Sequence, residues 1–285
     1  MIIFINDAPA KITLDNEKTL GDVMAGIENW ISPSGNRILK ICANGMEISG
    51  DDLSEAFDMQ VEDIEKLDIF ISSWRELAFE ALEILCQTCV IYGNASYDER
   101  AHIFTAWKES AGARFLNSDI PDIYDLAENV MRGNGLSVPD FTAIAEERLR
   151  EVKDPWQEIC DSETFAHIIS QRMEEFPLDM QTGKDKRASE TIRLFSEISG
   201  KLFRIYFIYK SGGLIEEAFI IDERPAKIFI EEFNSALREL SYAYENSDTV
   251  LAGDIAEYEL APRLLKFFTA MKNMPRSHSE VVSEP

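Results

Sequence analysis

Four short constellations carry residue types that do chemistry. Cys86-Gln87-Thr88-Cys89 is a Cys-x-x-Cys. A zinc ribbon needs a second such pair, and Cys42 and Cys160 stand alone. A redox motif needs its first thiol at a helix start, where the dipole lowers the thiol pKa. This pair falls late in a helical pattern, so both thiols are expected as small buried apolar side chains. Glu99-Arg100-Ala101-His102 is a Glu-x-x-His on a predicted helix. Carboxylate-bridged di-metal bundles use two such pairs plus two more glutamates. The second helical histidine, His167, follows Glu163 by four residues rather than three, and the chain holds only 3 histidines. A metalloenzyme reading therefore rests on carboxylates and His102. The plainer reading is a helix start with an acidic first turn. Gly183-Lys184-Asp185-Lys186 lacks the first glycine and the Ser or Thr of a phosphate loop. Gly133-Asn134-Gly135 reads as a helix stop, and no Gly-x-Ser-x-Gly elbow occurs.

The fourth constellation is polar. Asp254 and Glu257 share a helix face, with Arg263 as counter-charge, around Pro262. Pro262 removes the backbone bond to the Tyr258 carbonyl and is expected to kink or divide the helix. The freed carbonyls would be acceptors for a partner. With no catalytic motif present, the chain reads as a non-enzyme that needs no cofactor and no metal.

The elements that position these residues fall into two classes. Ile2 to Ile5 reads as a short buried strand, Asn6-Asp7-Ala8-Pro9 as a turn, and Lys11 to Asp15 as the returning strand of a hairpin. Thr19 reads as the N-cap of a helix with Leu20, Val23, Met24, Ile27 and Ile31 on one face, stopped by Ser32-Pro33-Ser34-Gly35. Ile38 to Cys42 is a strand, Asn44-Gly45 a hairpin turn into Met46-Glu47-Ile48, and Leu67 to Ile71 the last strand. Residues 74–176 read as five helices: 76–91, 97–115, 120–131, 139–152 and 164–176. Pro177 to Asp185 is the expected linker. Beyond it, 177–274 reads as an antiparallel bundle of long helices. Ile192, Phe195, Ile198, Leu202, Ile205 and Tyr209 step by three or four, which favours helix through 202–221 over a rival β-hairpin with Ser211-Gly212-Gly213 at its turn. Asp222 with Pro225 marks the next helix start, and Asp248 the last. Residues 275–285 lack periodicity and read as a flexible tail.

The order strand, strand, helix, strand, short strand, strand in the first 73 residues resembles ubiquitin and its β-grasp relatives. The resemblance lies in Ile2 to Ile5, Thr19-Leu20, Ile41 to Ile48 and Leu67 to Ile71. It implies a binding module. Sulfur carriage or conjugation would need a free diglycine end, and here the last strand runs on into Ser72-Ser73-Trp74-Arg75. Thr249 to Leu265 resembles a segment of uncharacterised bacterial proteins. The fold class is therefore α+β: a ubiquitin-like domain over 1–73, then an all-α region in two blocks.

Charge bounds the partners. Asp and Glu number 52 against 28 Lys and Arg, for a formal charge of −24 over 285 residues. That argues against nucleic acid, whose phosphates need clustered bases, and against an anionic membrane surface. The acidity is spread: residues 1–73 hold 14 acids and 5 bases, and residues 74–285 hold 38 and 23. No segment has the length and apolarity of a signal peptide or membrane span, so a cytoplasmic protein with free thiols is expected. The function expected is a non-catalytic adaptor or scaffold that binds another protein of basic character. If the sheet binds, Lys11, Thr13, Lys40 and Asp68 are its exposed candidates. An acidic chaperone for a basic or secreted client and the metalloenzyme are the alternatives.

Overall fold

The computed structural model describes residues 1–14, 16–50, 52–215 and 219–274. An N-terminal mixed sheet is followed by helices, an α+β arrangement. The expected tail over 275–285 lies outside the described residues. The chain packs as two compact units, one of residues 1–146 with 211–213, the other beginning at 147.

The first unit opens with β1 (Ile2–Ile5), β2 (Ala8–Pro9), α1 (Leu20–Ile31), β3 (Asn36–Ala43), β4 (Met46–Glu47), α2 (Leu53–Phe57) and β5 (Lys66–Ser73). The strand order is β2-β1-β5-β3-β4, with β1 and β5 parallel and the other pairs antiparallel. Both hairpins turn on two residues of positive φ: Asn6 and Asp7 at 47° and 63°, Asn44 and Gly45 at 50° and 80°. Such turns match the right-handed twist of the strands they join. Each asparagine also grips β5. The Ile71 amide donates to Asn6 Oδ1 at 2.8 Å, and the Glu65 amide to Asn44 Oδ1 at 2.8 Å.

Thr19 and Asp22 form a reciprocal capping box at the start of α1. The buried residues of α1 are Leu20, Val23, Met24, Ile27 and Ile31, the predicted stripe. They close over Ile3, Ile41, Leu67 and Ile69 of the sheet. Each such burial contributes about 1.5–3 kcal/mol against conformational entropy. Strand β1 alternates rather than being wholly buried, with Ile3 inside and Ile2 exposed.

The returning strand differs from expectation. Only Ala8–Pro9 pairs with β1, and Lys11–Leu14 runs outside any strand. Its apolar–polar alternation has another cause: Leu14 turns inward onto the core beneath α1. Asp15 lies outside the described residues.

Helices α3 (Trp74–Asn94), α4 (Tyr97–Glu109), α5 (Ala111–Asp119), α6 (Pro121–Met131) and α7 (Val138–Lys153) follow. The helix expected over 97–115 breaks at Ser110, whose backbone is extended and whose hydroxyl caps the Ala113 amide at 3.1 Å. Asp119 accepts from Trp74 Nε1 at 3.1 Å and pairs with Arg37 at 2.6 Å. That contact ties the end of α5 to the start of α3 and to β3.

The second unit takes up the end of α7, then α8 (Pro155–Asp161), α9 (Glu163–Gln181), α10 (Asp185–Ser211), β6 (Ile220–Ile221), β7 (Arg224–Pro225), α11 (Ala226–Glu245), α12 (Thr249–Asp254), a π-helical turn (Ile255–Leu260) and α13 (Ala261–Lys272). The expected linker at 177–185 is mostly helix. Pro177 sits inside α9, and the break shrinks to Thr182-Gly183-Lys184, with Gly183 at φ 71°. The 202–221 stretch divides. The apolar stripe holds α10 together to Ser211, and 220–225 forms a small hairpin. Asp222 with Glu223 makes the hairpin turn, at φ 50° and 62°, and the helix start expected at Asp222 and Pro225 falls at Ala226. The helical run is divided at Pro262, one of the two outcomes expected there, by a π-helical turn between α12 and α13. The π-helical turn widens the bonding to i→i+5 just before it, which bypasses the missing N–H.

An aromatic core fills this unit. Phe195, Phe203, Phe229 and Phe267 all pack against Phe233. Helices α9 and α12 approach closely at Gly253, where an added Cβ would stand 3.0 Å from Pro177 Cβ. Gly253→Val is therefore expected to cost about 1–3 kcal/mol in chemical denaturation, through overpacking. An unchanged midpoint would show that α12 can shift away.

Candidate functional site

The sequence candidates in the first unit separate into two places. Lys11 and Thr13 line a groove of about 550 Å³ between the Ala10–Leu14 segment and α1. Val23 and Ile27 form its buried floor, Ile12 flanks one side, and Trp30 stands at the other with 64% of its surface exposed. Among the described residues, no hydrogen bond engages the backbone of Lys11, Ile12, Thr13 or Leu14. The groove is thus an apolar slot beside four residues whose backbone is unpaired. Gly26 leaves its wall low, with no heavy atom within 4 Å of where a Cβ would stand.

Lys40 and Asp68 lie instead on the sheet face turned away from α1. Asp68 is only 8% exposed, which corrects the expectation that it is open. It lies on β5 between Phe4 of β1 and Cys42 of β3, so a short side chain sinks between its neighbours. Lys66 closes over it, 2.6 Å from its carboxylate and 4.6 Å from the Phe4 ring centroid. Lys40 is exposed and pairs with Glu47 at 2.7 Å, a hydrogen bond that raises its pKa.

In the second unit, Arg263 enters a polar pocket of about 220 Å³ beside the π-helical turn. It pairs with Glu259 at 2.8 Å and lies 4.0 Å from Glu232, which holds Arg224 at 2.6 Å. Lys266 pairs with Asp222 of the hairpin turn at 2.7 Å. Three cations and three carboxylates thus neutralise one another. Asp254 and Glu257 do not line this pocket. They flank Tyr258, whose hydroxyl is bonded to Glu257 and whose pKa is raised by that carboxylate.

Several residues escaped sequence reasoning. Trp30 had a signal, since it falls off the buried stripe of α1. Arg224, Glu232 and Lys266 had none, because they reach the pocket from three separate elements. A buried ionic cluster was also missed. Glu151 of α7 is 1% exposed and takes two hydrogen bonds from Arg204 of α10, at 2.6 and 2.9 Å. Lys201 of the same helix joins Glu158 at 2.6 Å and Glu147 at 3.4 Å.

The remaining motifs sit as follows. Burial pushes the Cys86 thiol up to about 11 and Cys89 up to about 12. In the folded protein at pH 8, iodoacetamide is expected to modify both about two orders of magnitude more slowly than in the urea-unfolded chain. Mass spectrometry would read this, and equal rates would refute it. Glu99 is occupied at the start of α4, accepting from the Ser96 amide and hydroxyl at 2.8 and 2.6 Å, and His102 is exposed. Among the described residues no group of three or more His, Cys, Asp or Glu is placed to hold a metal ion. Among them, too, no helix is long and apolar enough to cross a membrane.

No curated protein and no solved structure matches the chain. Two family models do. Residues 162–270, which include the Arg263 pocket, are similar to the model described as a domain of unknown function, DUF8042. Residues 1–73, which hold the whole sheet and its groove, are similar to the model described as the TP0873 N-terminal domain.

Proposed function

We propose that the chain is a non-catalytic, cytoplasmic adaptor or scaffold that binds another protein through its N-terminal part, a ubiquitin-like β-grasp module. The observation that carries this reading is the apolar groove at Lys11–Leu14, with Trp30 and Ile12 open to solvent beside unpaired backbone. Exposed aromatic and aliphatic anchors beside free main-chain donors and acceptors are the parts of a protein-recognition site. The end of β5 supports binding over conjugation. Ser73 caps α3 directly, with the Glu76 amide donating to its hydroxyl at 3.1 Å, so the module has no free end there. The formal charge of −24 favours a basic partner and speeds encounter at low salt.

Capture with the tagged full-length chain from lysate, followed by cross-linking and mass spectrometry, tests this. The expected result is a stoichiometric partner cross-linked near Lys11, weakened as salt rises from 50 to 500 mM and reduced at least tenfold by Trp30→Ala. A chain that holds no stoichiometric partner at any salt would refute it.

A further inference from the structure

We infer that Lys11–Leu14 is an acceptor edge that takes an extended, basic-flanked segment of a partner protein by β-addition, seating an aliphatic side chain of that segment between Trp30 and Ile27. The inference rests on the adaptor reading and specifies its ligand. Three features of the groove point to a strand rather than to a helix or a small molecule. The backbone donors and acceptors of Lys11–Leu14 are unpaired among the described residues, which leaves them free to template an added strand. The slot beside it is lined by all four residues of that stretch. Its floor is apolar, so alternate side chains of an added strand would find Val23 and Ile27.

Charge selects the occupant. Residues 1–73 carry a net charge of −9, and Glu17 lines the groove. A second copy of this chain would bring the same acidity and be repelled. A segment with lysine or arginine on both sides of its aliphatic core would be attracted.

The test uses the full-length chain and a phage-displayed library of random twelve-residue peptides. The expected selection is an alternating aliphatic core flanked by Lys or Arg. Binding of the selected peptide should fall at least tenfold when one central amide is N-methylated, because β-addition needs that donor. It should fall at least tenfold again on Gly26→Leu. An added Cβ at that position meets no heavy atom within 4 Å, the longer side chain extends into the groove, and a mid-helix glycine is replaced by a better helix former, so the variant is expected to keep its fold. Circular dichroism and a thermal midpoint at or above that of the parent would confirm the last point.

Peptides that bind Gly26→Leu undiminished, or that tolerate N-methylation, would overturn the groove assignment while leaving a protein-binding role elsewhere. A library that enriches nothing would overturn it as well. If lysate capture then also fails, the adaptor reading falls with it.

Discussion

Phe233→Ala is expected to lower the unfolding free energy by about 3–5 kcal/mol, read from urea denaturation followed by circular dichroism. Phe233 of α11 is fully buried and is the hub of the aromatic core. Its ring lies 5.3 Å from Phe203, 6.1 Å from Phe195, and 6.3 Å from both Phe229 and Phe267. These partners come from α10, α11 itself and α13, so truncation strips contacts from three helices at once. Part of the loss is transfer free energy, and part is the cavity that rigid rings cannot collapse into. The stacked and edge-on pairs add a smaller specific contribution. Phe233→Leu keeps most of the volume and is expected to cost about 1–2 kcal/mol. The effect also reaches the polar pocket, because Glu232, the next residue, bridges Arg224 and Arg263. A loss below about 1 kcal/mol for the alanine variant would mean that the rings repack and the core is plastic.

What the sequence made legible follows the strength of its local signals. The stripe of α1 and its Thr19 cap coincide with the buried face of that helix, because periodicity and capping act within one element. Asn44-Gly45 marks its turn for the same reason: few other pairs tolerate two positive φ angles. Asp222-Glu223 adopts the same backbone with residues that give little warning, and the helix start expected from Asp222 and Pro225 comes at Ala226, directly after Pro225. Ser110 and Pro177 failed in opposite directions. A serine without glycine or proline ended one helix, and a proline stayed inside another where close packing on Gly253 holds α9 in place. Lys11–Leu14 shows the deeper limit. Its alternation is real, yet Ile12 stays exposed while Leu14 faces the core, so alternation fixes neither burial nor whether the backbone has a strand to pair with. The candidate groove exists because that pairing stops at Pro9, and only the tertiary structure shows this. The Arg263 pocket is similarly opaque, since Asp222, Glu232 and Lys266 meet only when a hairpin and two helices converge.

Stability is expected to peak near pH 5 and decline toward pH 8, with Glu151 as the main cause. Burial pushes this carboxyl up to about 8, against the pull of Arg148 on α7 and of Lys201 on α10; Glu147 and Glu158 add to the rise. A folded-state pKa above the unfolded value means that the folded state binds the extra proton. The stabilisation is complete below about 4.5, the unfolded value, and is lost as pH rises through about 8. At most one proton is linked, so the slope is bounded by about 1.4 kcal/mol per pH unit and the span by about 3–5 kcal/mol. Opposite behaviour comes from Glu76, Asp119 and Glu128. Their pKa values are lowered: hydrogen bonds from the Ser73 amide and the Ser72 hydroxyl outweigh burial at Glu76, Arg37 does so at Asp119, and Lys108 with Arg132 acts at Glu128. They stabilise the fold above their unfolded values and lose that contribution only as pH falls below about 4–4.5. The two trends meet near pH 5. General repulsion from the excess acidity also grows with pH, but salt screens exposed charges and leaves a group as buried as Glu151 almost untouched. Urea midpoints at pH 5 and 8 in 0.5 M salt therefore isolate it. Glu151→Gln keeps the shape of the neutral acid, so it should match the parent at pH 5 and remove most of the decline toward pH 8. A variant destabilised by about 3–5 kcal/mol at both pH values would instead place a charged Glu151 in a permanent buried ion pair with Arg204, and the pH assignment would fail.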